Sequence, residues 1–406
     1  QAIISAYMTE KNTHCDACGP AQASHSALWF SNSSDVFALK LGGIGNAPWL
    51  RFFSELAEHL VWLFSRVLFL LGKAFNILEL KDNIENARSN RSKLLWHEAR
   101  ARSIPMRQLF LCKKPTDTFE IYVDGKRYFF QSIPIPPSLS KHEALDMDDK
   151  ISFKRALRAC GLPVPKSYSV QSLRRACEVL TELKTVCVKP QSGSNGRHTY
   201  PYVKTEADLA HALASATNIC ALASIEEHLE GNLCRATCVD GTLIGFLESF
   251  YPTVVGDGVS TIAELIEKAN KEKPERVENI IITPSHEGYI GRRGYALTDI
   301  LPEGTSLPLS YRAGFGQGGR NREHGRAIHP SFIPLIEEAA RTVRLPVVGF
   351  DIIIPNPLRA ADEQRWGFIE ANSLPWIDLH QTPLYGEPIN LASAVWDLWK
   401  ISRAYF

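Results

Sequence analysis

Three oxygen-bearing side chains interrupt two strongly apolar stretches near the end of the chain. Asp351 lies within GFDIII, and Glu370 and Asn372 lie two residues apart within WGFIEANS. Both stretches have the composition of strands, and residues i and i+2 of a strand share a face. Antiparallel pairing across the polar loop between them would bring the three side chains together. Two adjacent carboxylates need a counter-charge, and a hard cation such as Mg²⁺ prefers oxygen ligands. The alternative is three strand-edge residues that face water.

A lysine and a glycine-bearing loop could bind the phosphates that often complete a magnesium shell. Lys189 ends the apolar segment TVCVK, and QSGSNGRH follows one residue later. Gly193 and Gly196 let backbone N–H groups approach an anion. The order matches neither a Walker loop nor GxGxxG, so a plain flexible hairpin remains the alternative. Lys150 and Lys154 lie four apart on a predicted helix and share a face, although by themselves they would indicate only a solvated surface.

The elements that position these residues mix helices and strands without a regular βαβ alternation. Helical periodicity is found in NRSKLLWHEARARSIP, MDDKISFKRALRACGLPVP, STIAELIEKANKEK and SFIPLIEEAARTVR. Two hairpins, FEIYVDGKRYFF and RATCVDGTLIGFLESF, turn at Asp-Gly. This arrangement favours α+β lobes over one doubly wound sheet.

Length and composition set the broad class. A chain of 406 residues predicts two or three lobes, and 45% apolar residues, 22% charged residues and a net charge of +1 are ordinary for a globular protein. This charge gives no reason to expect nucleic acid or a membrane as partner. The apolar run at 59–80 is interrupted by Arg66 and Lys73, so it predicts a buried helix rather than a membrane span. No signal peptide is recognisable, and we expect a cytoplasmic location.

Nine cysteines are scattered along the chain without the rhythm of a secreted disulfide scaffold, which favours a reducing compartment. Cys15 and Cys18 form a CxxC, THCDACGP, with His14 beside it. A structural zinc site needs four ligands, and no second CxxC follows. We therefore expect a polar N-terminal loop here rather than a zinc site.

Taken together, the motifs resemble the ATP-grasp superfamily of carboxylate–amine ligases. Within it they are most similar to cyanophycin synthetase and to the glutathione synthetase domain of bifunctional glutathione synthetases. The resemblance spans roughly residues 146–406 and rests on VVGDGVSTIAELIEKANKE, LPEGTSLPLSYRAGFGQGGRN…IHP and GFDIII…FIEANSLPWIDLHQTP. It implies an α+β ATP-grasp fold, with two lobes clasping ATP. The expected organisation is an N-terminal region of unknown role at 1–84, a pre-ATP-grasp α/β domain at 85–145, lobe A at 146–225, and lobe B with the metal site at 226–406.

The resemblance also implies roles for individual residues. Asp351, Glu370 and Asn372 would hold Mg²⁺, with two ions expected and Mn²⁺ as a substitute, and Arg312 would touch the transferred phosphate or the oxyanion. The loop 191–197 would close over the phosphates, and IEEHLEG would be the hinge that faces the adenine. The implied ATP-binding residues are Lys154, Lys189, Ser192, Gly193, Ser194, Asn195, Gly196, Glu226, Glu227, Leu229 and Glu230.

This sequence departs from the family pattern at two places. The acid that binds the ribose would fall near Leu233, which cannot hydrogen-bond a hydroxyl, so Glu230 is the expected substitute. After the glycine pair the relatives carry acidic residues, whereas this chain has RNREHGR. The preference for substrate is therefore expected to differ here.

A basic run provides the candidate substrate site. Arg320, Arg322 and Arg326 could bind a substrate carboxylate, because arginine binds carboxylates bidentately; a solvated loop is the alternative. Two further stretches are expected to contribute to the same cleft. They are Arg292 and Arg293 in one stretch, and His380, Gln381 and Tyr385 in the other.

The predicted function is an ATP-dependent ligase that forms an amide bond between a carboxylate and an amine through an acyl phosphate. Amino acids or small peptides are the expected substrates. An ATP-grasp phosphotransferase acting on a small molecule and a non-catalytic ATP-binding sensor or scaffold remain alternatives. Homo-oligomerisation is left open.

Overall fold

The computed structural model describes residues 15–18, 23–42, 77–82, 84–85, 87, 89–139, 149–193 and 196–400. The strands in these ranges are β1 Leu78–Lys81, β2 Met106–Leu111, β3 Lys114–Val123, β4 Lys126–Gln131, β5 Ser167–Val170, β6 Val186–Pro190, β7 Tyr200–Val203, β8 Ala223–Glu227, β9 Asn232–Val239, β10 Thr242–Phe250, β11 Thr253–Val255, β12 Ser306–Pro308, β13 Arg320–Glu323, β14 Val347–Ile354 and β15 Gly367–Asn372.

The helices are α1 His25–Gly42, α2 Asn90–Ala101, α3 Lys150–Ala159, α4 Leu173–Leu183, α5 Glu206–Thr217, α6 Ile262–Lys271, α7 Pro284–Arg292, α8 Phe332–Val343, α9 Asp378–Gln381 and α10 Leu391–Asp397. Short 3-10 helices occur at Asp16–Cys18, Pro137–Leu139, Phe315–Gln317 and Ala361–Glu363. No helix in the described part of the chain combines the length and apolar character needed to cross a bilayer.

The N-terminal sheet has the order β1-β2-β3-β4 and is antiparallel throughout. Its core contains Leu95 of α2 together with Phe119 and Phe130 of the sheet. Trp396 of α10 belongs to the same core, and its indole N–H donates to the carbonyl of Leu95. The end of the chain therefore packs on a domain that lies about 300 residues earlier.

The lobe A sheet has the order β5-β8-β6-β7 and is also antiparallel. One face carries Val186, Val188 and Ile225, which pack against helices α4 and α5 in one apolar core. Because side chains alternate along a strand, residues such as Lys189 and Glu226 lie on the opposite face. That face turns toward the second lobe.

The lobe B sheet has the order β13-β10-β9-β14-β15. Phe350, Ile352 and Phe368 pack beneath it against α8, and α3 adds Phe153 to this core. Helix α3 belongs by sequence to predicted lobe A but packs on β15 of lobe B. A smaller unit, made of β11, β12, α6 and α7, has its own apolar cluster.

The α+β class and both Asp-Gly hairpins are confirmed. All four predicted helices form as α2, α3, α6 and α8. The expected helix over 59–80 is wrong at its end, because Leu78–Lys81 is strand β1, paired to β2; most of the remaining run lies outside the described residues. The other six α-helices of the described residues, α1, α4, α5, α7, α9 and α10, were not predicted. The domain boundaries stay predictions.

Candidate functional site

A cleft of about 420 Å³ lies between the lobe A and lobe B sheets. The short connection from Glu227 to Asn232 joins the two sheets at the bottom of this cleft. Gly231 within it has φ +136°, and a Cβ there would lie 2.5 Å from the backbone carbon of Ile354. Only glycine fits this close approach, so the joint between the lobes is tightly packed.

Glu226 joins two lysines on the lobe A side of the cleft. Lys154 Nζ lies 2.7 Å from Glu226 Oε1, and Lys189 Nζ lies 3.0 Å from Glu226 Oε2. Ser224 Oγ also donates to this carboxylate at 2.8 Å. All three charged side chains are buried, and two cations share one anion. The group therefore carries a net positive charge, which favours an anionic ligand such as a phosphate.

The pKa values of these groups follow from burial and from one another. Burial alone would raise the pKa of Glu226, but the two neighbouring ammonium groups outweigh it and lower the pKa to about 2. Burial lowers the pKa of Lys154 to about 8. For Lys189 burial acts in the same direction, but Glu226, Cys187 and Glu370 outweigh it and leave its pKa raised. Lys189 is thus the cation that stays charged at neutral and mildly alkaline pH.

The two lysines of α3 differ from the sequence-based expectation. Lys150, which was given no phosphate role, lines the cleft, and its Nζ donates to the carbonyl of Gly193 at 2.5 Å. Lys154, which was expected to touch phosphate, is 0% exposed and does not line the cleft. Lys154 instead pairs with Glu226, which does line the cleft. Its contact with a phosphate stays a prediction.

Hydrogen bonds fix the first residue of the predicted phosphate loop. At its start, Gln191 donates to Asp149 at the N-cap of α3 and accepts a hydrogen bond from Ser169. Gly193 and Gly196 line the cleft, and both have positive φ. The side chain of Ser192 is buried. Two further predicted ATP-binding residues, Ser194 and Asn195, lie outside the described residues.

The predicted hinge residues line the cleft where the lobes join, namely Glu226, Glu227, Leu229 and Glu230. Glu227 already binds Arg365 and accepts from the backbone N–H of Lys166, so its carboxylate is occupied. Glu230 lies near Arg293 and His228, and 64% of its side chain is exposed. Of the hinge acids, Glu230 is the one that a ligand hydroxyl could reach.

The predicted metal residues lie on paired strands of lobe B. Strands β14 and β15 are antiparallel, with Asp351 opposite Glu370 and Asn372 opposite Gly349. A bulge between Asp351 and Ile352 inserts one extra residue into β15. Such a bulge re-aims side chains, and both Ile369 and Glu370 line the cleft as a result. The antiparallel pairing predicted from the two apolar stretches is present.

Arg235 is a site residue that sequence reasoning missed. It lies opposite Asp351 on β9, and its Nε and Nη2 donate to the two Asp351 oxygens at 2.9 and 3.0 Å. The signal in the sequence was an arginine inside the apolar stretch RATCV. Its charge supplies part of the neutralisation that two adjacent carboxylates need.

These residues fit a hard cation. Asp351 and Glu370 are half-buried, oxygen-bearing and adjacent. The Nδ2 atom of Asn372 is buried and has no hydrogen-bond partner within the described part of the chain. A buried donor of this kind marks a place where another polar group completes the site. The carboxylate oxygens suit Mg²⁺, and the amide donor on the same face suits an oxygen of a phosphate bound to that ion.

Arg312 lies outside the lining of the cleft, contrary to the contact expected of it. Its Nη2 donates to the backbone carbonyl of Ala17 at 2.9 Å, and its Nε is buried without a partner among the described residues. The guanidinium is thus engaged by the N-terminal segment. The contact with Ala17 uses one nitrogen of the guanidinium, so the role of Arg312 toward a transferred phosphate stays a prediction.

A second cavity of about 590 Å³ adjoins the first. Four residues, Asn232, Tyr251, Thr253 and Ser306, line both. Arg320 and Arg322 line this second cavity beside Lys273 and Tyr385. Arg326 lies elsewhere, with its Nη1 on Glu337 and on the carbonyl of Leu243. Two of the three predicted substrate arginines therefore share a cavity, whereas Arg326 forms an ion pair outside it.

His380 and Gln381 do not line either cavity. His380 is 0% exposed and lies between Glu323 and Thr237, at 2.6 and 2.9 Å. Gln381 is half-buried at the end of α9. The correction follows from the fold, because α9 turns back onto the sheet and buries its histidine. His380 fastens this segment and is not placed to touch substrate.

Comparison with curated proteins gives sequence relatives over the two lobes. A cyanophycin synthetase of Synechocystis sp. is 30% identical over 261 residues, which are 62% of this chain and 30% of that protein. A glutathione biosynthesis bifunctional protein of Clostridium perfringens is 27% identical over 266 residues, 63% of this chain and 34% of that protein. This chain is a homologue of these proteins, so the similarity to cyanophycin synthetase and to bifunctional glutathione synthetases predicted from the motifs is confirmed.

The homology covers only part of each protein. The chain spans about a third of the length of the curated relatives it matches. No family model matches it. Among solved structures, a bifunctional glutathione synthetase from Pasteurella multocida has a TM-score of 0.49 and 20% identity, over 78% of this chain and 44% of that chain.

Proposed function

We propose that this ATP-grasp homologue is an ATP-dependent ligase that joins a carboxylate to an amine, with amino acids or small peptides as substrates. One observation carries the proposal: the cleft with Lys189, Asp351 and Glu370 runs into the cavity lined by Arg320 and Arg322. A phosphate donor in the first and an acid in the second would meet where the two cavities join. The names of the sequence relatives are consistent with this chemistry.

The chemistry follows from the weakness of a carboxylate as an acyl donor, since its leaving group would be oxide. A carboxylate oxygen attacks the γ-phosphorus of ATP, the bond to the β-γ bridging oxygen breaks, and ADP leaves. The amine nitrogen then attacks the acyl carbon and loses a proton, and inorganic phosphate leaves with the former carboxylate oxygen. Phosphoryl transfer needs mainly positioning and charge neutralisation. Lys150, Lys189 and Arg235 are the cations placed to contribute.

ATP would lie with its base at the hinge and its phosphates beneath the loop 191–197. Glu230 would accept from a ribose hydroxyl, and Lys150 and Lys189 would contact phosphate oxygens. Asp351, Glu370 and Asn372 would hold Mg²⁺, with two ions proposed and Mn²⁺ as a substitute. The metal would neutralise charge on the transferred phosphate.

The acyl phosphate must be protected from water before the amine arrives. Gly193 and Gly196 of the loop 191–197 line the cleft, and we propose that the loop closes when ATP binds. We also propose a cytoplasmic location. Its support is that none of the nine cysteines, all among the described residues, forms a disulfide, as is usual in a reducing compartment.

The test is a panel of amino acids and dipeptides, assayed singly and in pairs for release of ADP and phosphate, with mass spectrometry of the products. The proposal predicts turnover that requires two substrates together and a product whose mass equals their sum less one water. A stable phosphorylated product formed from one substrate would overturn it and indicate a phosphotransferase. ATP binding without turnover on any pair would favour the sensor alternative.

A further inference from the structure

Four potential metal ligands lie together where the N-terminal segment meets lobe A. They are Cys15, Cys18, His25 and His198, and their ligand atoms all lie within 4.8 Å of one another. Cys18 Sγ is 3.4 Å from Nε2 of His25 and 3.5 Å from Nε2 of His198. Cys15 Sγ is 3.8 Å from Nε2 of His198. A tetrahedral zinc ion, with Zn–S about 2.3 Å and Zn–N about 2.0–2.1 Å, sets its ligand atoms roughly 3.3–3.8 Å apart. The three sulfur–nitrogen distances of 3.4, 3.5 and 3.8 Å match that spacing.

Local structure presents each ligand to the same point. Cys15 precedes the 3-10 turn Asp16–Cys18, Cys18 is the last residue of that turn, and His25 is the first residue of α1. His198 comes from the far end of the loop 191–197. Its backbone has φ +50°, and its N–H donates to the carbonyl of Ala17 at 2.8 Å. Cys18 and His198, which are 180 positions apart, are thus held together by a backbone hydrogen bond as well as by side-chain contacts.

A second layer of contacts orients the His198 ring. Its Nδ1 lies 2.8 Å from Ser215 Oγ on α5, and Tyr200 Oη donates to the same hydroxyl at 3.0 Å. With Nδ1 engaged, Nε2 is the nitrogen that faces the two thiols. Zinc-binding histidines are oriented in this way by a partner on the other ring nitrogen. A chance contact between a buried thiol and an imidazole would not require the hydrogen bond with Ser215 that orients the His198 ring.

Burial and charge also favour an ion. Cys18 and His198 are 1% and 2% exposed. Zinc is bound by thiolates and neutral imidazoles, so two cysteines, two histidines and Zn²⁺ sum to zero charge. A buried site needs such balance. Four protein ligands leave no open position, which is typical of a structural site rather than a catalytic one.

We propose that Cys15, Cys18, His25 and His198 bind one structural Zn²⁺ ion that attaches the N-terminal segment to lobe A. This site is independent of the proposed ligase chemistry. The attachment is extended by Asn32 of α1, which donates to the carbonyl of Ile219 at 2.7 Å, and by Ser33, which accepts from the N–H of Ala221 at 2.9 Å. Because His198 follows the phosphate loop directly, the ion also fixes the end of that loop.

The test measures metal in the full-length chain, purified under reducing conditions without chelator. Mass spectrometric metal analysis should find one zinc per chain. Replacement by Co²⁺ should give the visible d–d bands of a tetrahedral site together with thiolate-to-metal charge transfer. Cys18→Ser and His198→Gln should lose nearly all bound metal, whereas Cys177→Ser, a half-buried cysteine of α4 outside the cluster, should keep it.

If a variant fails to fold, the zinc site can still be tested on the wild-type chain alone. A strong chelator should lower its melting temperature, and added Zn²⁺ should restore it. Zinc should also protect Cys15 and Cys18 from alkylation while exposed Cys112 reacts. Absence of stoichiometric zinc and of thiolate bands with Co²⁺ would overturn the proposal. A Cys15–Cys18 disulfide in the protein isolated with reductant would overturn it as well.

Discussion

Glu226 shows how one residue gathers positive charge beside the cleft. Its carboxylate holds Lys154 and Lys189 together, and the three groups leave one net positive charge. Removal of Lys189 would leave the Lys154–Glu226 pair balanced. The fold should therefore tolerate this substitution while the excess positive charge beside the cleft disappears.

Lys189→Met tests this phosphate role. A charge-assisted contact contributes about 1.5–3 kcal/mol, so the Kd for ATP should rise roughly 10- to 100-fold, measured by calorimetry. Lys204→Met removes an exposed lysine that lies over Tyr202 and serves as the matched control. ATP affinity unchanged in a folded Lys189→Met protein would exclude the role.

Glu370→Gln tests the metal site with a change of one atom. The variant loses a carboxylate ligand opposite Asp351, so ATP turnover should fall at least about 100-fold while the melting temperature changes little. Glu338→Gln alters a half-exposed glutamate in an ion pair with Arg341 and should leave turnover intact. Wild-type turnover in Glu370→Gln would contradict the assignment of this trio.

At the residue scale, candidate site residues were easiest to predict from the sequence where a polar residue interrupts an apolar strand. Asp351, Glu370 and Asn372 stood out for that reason, and their strands pair as predicted. Arg235 interrupts β9 in the same way but was missed, because its partner is set by strand pairing across 116 residues. The two α3 lysines have different partners, Gly193 and Glu226, and these tertiary contacts are not contained in the periodicity of the helix.

At the element scale, strand β13 determines which arginines reach the second cavity. Arg320 and Arg322 are two apart and share its outer face, while Asn321 and Glu323 point inward and are buried. Asn321 accepts from the N–H of Leu384, and Glu323 accepts from the N–H of Phe246. These inward contacts fix the strand and so fix the arginine pair.

Arg320→Ala and Arg322→Ala should each be assayed for the acidic substrate. At least one should raise KM more than tenfold, because a bidentate contact in a cleft contributes more than an exposed ion pair, worth about 0–1 kcal/mol. The KM for ATP should stay unchanged. Arg326→Ala, which breaks an ion pair with Glu337, should change KM less than twofold. A wild-type KM in both single variants and in their double variant would show that the substrate site lies elsewhere.

Strand β13 also shows that some strands cannot be predicted from the pattern of apolar and polar residues. RNREHGR was expected to form a loop, but Arg320–Glu323 pairs antiparallel with β10. A strand with polar side chains on both faces lacks the apolar alternation that marks a half-buried strand. By contrast, α6 was predictable because it combines apolar periodicity with a Thr261–Glu264 capping box.

At the scale of the whole molecule, the packing between the two lobes depends on Gly231 in the connection that joins their sheets. Gly231→Ala would force a Cβ to within 2.5 Å of the Ile354 backbone at φ +136°. Strain of this kind costs on the order of 1–3 kcal/mol, so thermal unfolding should begin at lower temperature. Gly291→Ala is the matched control, because it lies in α7 with open space around it, and it should be neutral or stabilising. Equal melting temperatures for Gly231→Ala and wild type would contradict this role.

Contacts between distant segments account for most of what the sequence did not predict. The metal-ligand cluster needs His198 in addition to the CxxC, and no local spacing connects them. Likewise, Trp396 near the end of the chain completes the core of the N-terminal sheet through Leu95. Each contact is decided by tertiary packing, whereas periodicity and turn residues report only local structure.

The most direct test of the central claim follows oxygen from the acid to phosphate. The acid identified by the substrate panel would be labelled with ¹⁸O in its reacting carboxylate and incubated with ATP, Mg²⁺ and the amine. An acyl phosphate predicts that one ¹⁸O atom per turnover appears in the released inorganic phosphate, detected by mass spectrometry, and that the amide keeps the other. Released phosphate without ¹⁸O, while the amide forms at the same rate, would contradict the account.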